Sequence, residues 1–198
     1  MKKLIALACL ATIVTLASGT AMADSIKGRL GVTGKIGFIV PADNEADEFF
    51  HNKTDAGFIG GGSLIFGIDD HFAGEFGVTR ASFDSHDGDF GTTDISFGGQ
   101  YRFATSRRQL VPYVGAGLDI LVNDYDPNFS ASRDVDTTVG VHLAGGVDYF
   151  LLKQLALTGE AKLLLSPDAD INDRVGNHTG NFDPSNFSRT FGVRYFFN

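Results

Sequence analysis

The chain has 198 residues, enough for one domain, and 16 basic against 24 acidic side chains leave it with a net charge of −8. That balance argues against nucleic-acid binding, which needs a basic surface facing phosphate. A single cysteine excludes an intrachain disulfide, and 25 glycines with 18 phenylalanines and no tryptophan suit a β-protein, either soluble or membrane-embedded.

In chain order, Lys2 and Lys3 precede an apolar run from Leu4 to Leu16, and Ala21-Met22-Ala23 follows. A charged start, a short apolar stretch and small residues at minus three and minus one read as a signal peptide over residues 1–23, cleaved after Ala23. The run is too short for a spanning helix, which needs about 20 apolar residues. Cys9 lies inside it, and Ala6-Leu7-Ala8-Cys9 stands too close to Lys3 for a lipoprotein signal. The domain 24–198 then has no thiol for catalysis. Sixteen basic residues less Lys2 and Lys3, against 24 acidic ones, give it a charge of −10.

Eight segments of period-two alternation follow, the pattern of strands with two unlike faces. The first places Leu30, Val32, Ile36, Phe38 and Val40 opposite Thr33 and Lys35; the second, Phe58, Leu64, Phe66 and Ile68 opposite Gly61 and Ser63. The third sets Phe72, Phe76 and Val78 against Glu75 and Thr79, and its far end, with Arg80 and Phe83, breaks parity in the manner of a bulge. The fourth sets Ile95, Phe97, Tyr101 and Phe103 against Asp94, Ser96, Gln100 and Arg102. The fifth sets Val114, Leu118, Ile120 and Val122 against Tyr113, Gly117 and Asp119. In the sixth, Val139, Val141, Leu143, Val147 and Tyr149 oppose His142 and Asp148; in the seventh, Leu155, Leu157, Ala161, Leu163 and Leu165 oppose Thr158, Glu160 and Lys162. The eighth alternates Phe187, Phe191, Val193, Tyr195 and Phe197 with Ser188, Thr190 and Arg194.

The connections alternate too. Asp69 to His71, Ala104 to Gln109 and Leu151 to Gln154 are short, while Pro41–Asp55, Asp84–Phe90, Asp124–Asp134 and Ser166–Asn186 are longer and polar. Short turns at one end, long loops at the other, and a large apolar face opposite a charged, glycine-rich one predict an all-β, eight-stranded antiparallel up-and-down transmembrane β-barrel. Closure satisfies every backbone group, and glycines make room inside a narrow lumen. This reading puts the protein in the outer membrane of a Gram-negative cell, with both termini periplasmic and the four long loops outside. Membrane lipids and lipopolysaccharide are the expected neighbours.

The closing Phe191, Val193, Tyr195 and Phe197 resemble the C-terminal strand read by the barrel-assembly machinery, although Asn198 follows the last aromatic residue. Together with Arg29-Leu30-Gly31-Val32 to Val40-Pro41, Pro112-Tyr113-Val114-Gly115-Ala116-Gly117 and Ala144-Gly145-Gly146-Val147-Asp148-Tyr149-Phe150, they make the chain similar to small eight-stranded outer-membrane barrels. Within these it most resembles the outer membrane protein W family. That resemblance implies a narrow channel for small hydrophobic molecules; without a tryptophan, no tryptophan gate carries over. Opacity-type adhesins share much of the pattern.

Parity and position pick out two groups of inward residues. Ile39, Ile59, Leu121 and Leu164 form a candidate apolar vestibule toward the long loops. Below them Lys35, Glu75, Arg102, Asp119, His142, Glu160, Lys162 and Arg194 form a candidate polar plug. A channel predicts a continuous cavity along the first group. An adhesin predicts a filled lumen, with Phe49, Phe50, Phe129 and Phe182 displayed on loops, and a purely structural barrel is the third possibility. No enzyme is expected: His142, Glu160 and Lys162 face the lumen, and catalysis needs nucleophile, base and orienting group within reach of one another. No cofactor and no metal site are expected either. Asp168 to Asp173 opens like a calcium loop but lacks its turn glycine and closing glutamate. His51, His71, His86 and His178 are scattered among the connections.

Overall fold

The computed structural model describes residues 25–41, 56–85, 88–103, 109–127, 133–172 and 178–197. In these every regular element is a strand: β1 (Leu30–Pro41), β2 (Gly57–Gly67), β3 (Phe72–Ser85), β4 (Gly88–Arg102), β5 (Leu110–Pro127), β6 (Arg133–Val135), β7 (Thr138–Phe150), β8 (Leu155–Leu165), β9 (Ala169–Asn172), β10 (His178–Phe182) and β11 (Asn186–Phe196). Eight long strands pair antiparallel in the order β1-β2-β3-β4-β5-β7-β8-β11, and β11 returns to β1 with Gly31 opposite Phe196 and Pro41 opposite Asn186. The sheet is a closed eight-stranded barrel. Beyond its rim β6, β9 and β10 extend the sheet from the far end of β5, starting with Asp124 opposite Asp134.

Two expectations are corrected here. The far end of β3 holds no bulge, because its pairing with β4 runs without a slip from Phe72–Tyr101 to Ser85–Gly88. Ala81 is buried inside, so Arg80 points outward; a charge on the apolar face mimics a parity break. Stretches read as loops are also partly strand. The ladder takes most of Asp84–Phe90, β5 runs on to Pro127, and β9 and β10 lie within Ser166–Asn186. Their polar composition reflects backbone paired beyond the apolar band. The calcium-like spacing falls partly on extended β9.

The barrel is turned inside out relative to a soluble one. Phe38, Phe58, Leu64, Phe97, Leu118, Leu143, Leu163 and Phe191 are all exposed on its outer wall, and the buried positions alternate with them. Tyr101 meets Phe72 and Phe103 edge to face at 5.1 and 5.0 Å, part of an aromatic rim at the short-turn end. There the Asp69 carboxylate accepts the N–H groups of His71 and Phe72, both at 2.7 Å, and these bonds hold its pKa below the usual carboxylate range. The bonds therefore favour the folded turn above the ordinary carboxylate range and are lost as pH falls through the lowered value.

The lumen is sealed at the same end. Ile26, Ile65, Ala73, Phe150, Ala156 and Phe196 form an apolar floor with Val111 against it, and the Phe150 and Phe196 rings stack at 5.9 Å. Ile26 reaches this floor because Gly28 turns the chain at φ 71, a conformation favoured by glycine, and donates its N–H to the Gly67 carbonyl at 2.7 Å. The Arg29 guanidinium caps the floor at 5.4 Å from the Phe196 ring.

Candidate functional site

Above the floor the inward positions carry charge, and closure brings distant strands together. Asp148 on β7 takes Arg102 of β4 at 2.6 Å and Arg194 of β11 at 2.9 Å. Arg194 also donates to Thr33 Oγ1 at 2.9 Å and lies 3.6 Å from Glu75, while Gln100 bonds the Glu75 carboxylate. Both cations also face the Tyr113 ring, Arg102 at 5.8 Å and Arg194 at 5.6 Å from its centroid. The tyrosine hydroxyl donates to Glu160 at 3.0 Å, and Glu160 pairs with Lys35 at 3.1 Å. Nearer the long loops Lys162 spans from Asp119 on β5 to Asp94 on β4, 2.7 Å from the latter, and His142 Nδ1 lies 2.6 Å from Asp119.

Small residues admit these groups. A Cβ at Gly146 would stand 2.4 Å from the Tyr113 ring, and one at Gly117 would stand 2.6 Å from the His142 ring. Lys35, Glu75, Gln100, His142, Glu160 and Lys162 line a cavity of about 30 Å³, room for a water molecule or two. In a low-dielectric barrel, charges are tolerable only when paired, and breaking a pair is far more costly than forming it is favourable. This belt therefore ties together strands that are not neighbours in the sheet.

Toward the long loops, Ile39, Ile59 and Ala81 pack together on β1 to β3. Leu121 and Leu164 lie in the same half of the lumen, on β5 and β8. The four proposed vestibule residues are closely packed: Ile39 is 3 % exposed, Ile59 6 %, Leu121 0 % and Leu164 1 %. Beside them Thr92 donates to Asn123 at 3.0 Å, and Asn123 donates to the Asp136 carbonyl at 3.2 Å.

All eight residues of the suggested plug line the lumen, in contact groups rather than one ring. The plug as read from sequence omitted Asp94, Gln100, Tyr113 and Asp148, although their parity already placed them inward. Asp148 is the central one, because two arginines converge on it. His142, Glu160 and Lys162 do not assemble as a catalytic set: His142 bonds Asp119, Glu160 is held by Lys35 and Tyr113, and Lys162 by Asp94 and Asp119. His71 stacks on Tyr101 at 5.8 Å. Residues 1–23, the stretch expected to be a signal peptide, and Phe49, Phe50, His51, His86, Phe129 and Asp173 lie outside the described residues, and the side chains of His178 and Phe182 are likewise not described.

The fold is shared with solved outer-membrane barrels. Outer membrane protein OprG of Pseudomonas aeruginosa superposes with a TM-score of 0.70 at 16% identity, covering 87% of this chain and 97% of that one. Neisserial surface protein A gives 0.63 at 18% identity over 85% and 97%. Escherichia coli outer membrane protein W gives 0.51 at 17% identity over 86% and 98%. No curated protein sequence matches the chain significantly. The model of the outer membrane protein β-barrel domain matches residues 7–197, nearly the whole sequence, and with the closed barrel and its apolar outer wall this makes the chain a member of that outer-membrane family.

Proposed function

We propose that this protein is a closed outer-membrane barrel that acts through what it displays outside the cell, as a loop-mediated adhesion or host-contact protein. The observation that supports this reading is the filled lumen: an apolar floor, a belt of paired charges, and four apolar residues at the far end that are at most 6 % exposed. The extension of β5 into β6, β9 and β10 fits it, since it builds sheet beyond the rim on the side of the long loops. A second reading, a narrow channel for small hydrophobic molecules, is favoured by the apolar character of Ile39, Ile59, Leu121 and Leu164, which would have to part to admit a solute. Lipopolysaccharide as neighbour and the barrel-assembly machinery as reader of β11 belong to the same proposal.

One reconstitution separates the two. Liposomes carrying the folded protein are expected to take up a small apolar dye no faster than protein-free liposomes. Faster uptake by the wild type, abolished by Leu121→Asp at equal folded amount, would put the channel in place of the closed barrel. Conversely, cells displaying the protein should attach to matrix-coated surfaces, and exchanging residues 128–132 and 173–177 for glycine-serine linkers should remove that attachment.

The proposed orientation has its own measurement. With termini inside and long loops outside, a cysteine replacing the exposed Asp136 should react with an impermeant thiol reagent on intact cells, and one replacing Asp70 should not. Labelling of Asp70→Cys alone inverts the barrel.

A further inference from the structure

Three neighbouring strands of the barrel break at one level on the long-loop side. Residues 136–137 separate β6 from β7, residues 166–168 separate β8 from β9, and residues 183–185 separate β10 from β11. Across the mouth the wall runs through without interruption. β3 and β4 stay paired up to Ser85 opposite Gly88, and β4 and β5 up to Gly88 opposite Pro127, with no slip in either ladder. Two of the breaks hold a proline, Pro167 and Pro184, which have no N–H to give to a ladder. At the third, Leu121 pairs with Thr138 but Asp124 pairs with Asp134, so the chain there carries one residue more than β5 opposite it.

Side chains bridge these breaks in place of backbone. The Ser185 hydroxyl accepts the Ser166 N–H at 3.1 Å and donates to the Ser166 carbonyl at 3.2 Å, standing where a neighbouring strand would. The Ser166 hydroxyl donates to Thr138 Oγ1 at 3.1 Å. Asn123, held by Thr92, donates to the Asp136 carbonyl at 3.2 Å, and Asn186 donates to the Pro184 carbonyl at 3.0 Å. Beyond the breaks β6, β9 and β10 pair with one another as a small sheet of their own. Its described attachment to the continuous wall is two rungs on β5, Asp124 with Asp134 and Tyr125 with Arg133. Leu121, opposite the first residue of β7, and Leu164, next to last in β8, are fully buried although they stand at this line. Ala169 and Pro184, just beyond it, are buried as well. A sheet that turns in over the mouth accounts for all four.

We propose that β6, β9 and β10 form a lid hinged along the three breaks, latched by Asn123, Ser166 and Ser185 and covering Leu121 and Leu164. A continuous ladder resists bending because many backbone bonds must break together. This line is held by a few side-chain hydrogen bonds, each contributing little once water can replace it. Hinges are a few residues at the ends of regular elements that absorb the change in backbone angle, and three such sets lie in a row here. The lid moves as one body because its own strands are paired. Opening uncovers an apolar recess at Leu121 and Leu164. The belt of ion pairs and the floor below stay closed, so the movement changes the long-loop end without opening a path through the barrel.

The test follows amide hydrogen exchange in the purified, folded full chain in non-ionic detergent micelles, read by mass spectrometry. Amides of β6, β9 and β10 are expected to exchange together, and faster than those of β3 to β5. Ser185→Ala combined with Asn123→Ala removes latches at two of the breaks. It should speed exchange in the three lid strands by about tenfold or more, as the loss of several hydrogen bonds implies, and leave β2 unchanged. Separate rates for the three strands, an unchanged rate in the variant, or equal acceleration of β2 overturns the hinged lid. A second readout asks whether the sheet is a cover. In Leu121→Cys, alkylation at that position by a water-soluble reagent, located by peptide mapping, should rise in the same proportion when the latches are removed. Leu164→Cys serves where Leu121→Cys does not fold, and an unchanged alkylation rate overturns the cover. Neither readout depends on orientation in the membrane or on attachment to a surface, so both stand apart from the function proposed above.

Discussion

Replacing Asp148 by alanine is expected to cost the barrel about 3–5 kcal/mol, the range for removing one partner from a buried ion pair. Asp148 is fully buried, and it is the carboxylate nearest to both Arg102 and Arg194. Without it two guanidiniums stay in a lumen that water can barely enter, and Glu75, which already pairs with Arg194 at 3.6 Å and is bonded by Gln100, does not stand between the two arginines as Asp148 does. Asp148→Asn keeps an acceptor and should lose less. Asp136→Ala, at an exposed position, should stay within about 0.5 kcal/mol of the wild type. Urea titration of the protein folded in bilayers measures all three. Matching midpoints for Asp148→Ala and the wild type would mean that the charged belt does not hold the barrel together.

An arginine in the middle of the outer wall should cost about 2–4 kcal/mol, the depth-dependent penalty at the bilayer midplane. Phe97 and Leu118 face each other across β4 and β5, both outward and both mid-strand, and Phe76 packs on Phe97 with centroids 4.9 Å apart. Phe97→Arg and Leu118→Arg therefore remove apolar contact and place a cation where it cannot reach the interface. Ser96→Arg should fail for another reason, since its side chain points into a lumen already occupied by the belt. The folded fraction in bilayers, read by the gel shift between folded and heated protein, checks each one. An unchanged folded fraction for Phe97→Arg would mean that the inside and outside of β4 are exchanged.

The period-two pattern made the barrel legible because lipid and lumen impose opposite chemistry on neighbouring residues. Val32 and Thr33, Phe97 and Ser96, and Leu118 and Asp119 each reveal the two faces in a single step. The same logic put Ile39, Ile59, Leu121 and Leu164 inside. It could not say whether they stand apart or touch, because that depends on the curvature of a closed wall. Nor could it match Lys162 to Asp94 or Lys35 to Glu160, whose strands meet across the lumen only after closure. Loops were harder still: Asp84 to Phe90 is as polar as a loop although its backbone is largely paired, since strands outside the apolar band no longer need greasy side chains. Arg80 was misread for the opposite reason, as a lone cation where the pattern called for an apolar residue.

The floor drawn from Ile26, Ile65, Ala73, Phe150, Ala156 and Phe196 also sets an order of assembly. Neighbouring hairpins such as β2–β3 and β3–β4 close short stretches of chain, whereas β1 and β11 join its two ends and carry the largest loop-closure cost. Ile26 precedes β1 and Phe196 ends β11, so the base cannot be completed before that last seam forms. Until then the nascent sheet is open at the base and admits water to the charges that later pair. Zipping the seam and expelling most of that water become a single cooperative event, and the charges lose their solvent only at the step that completes the base.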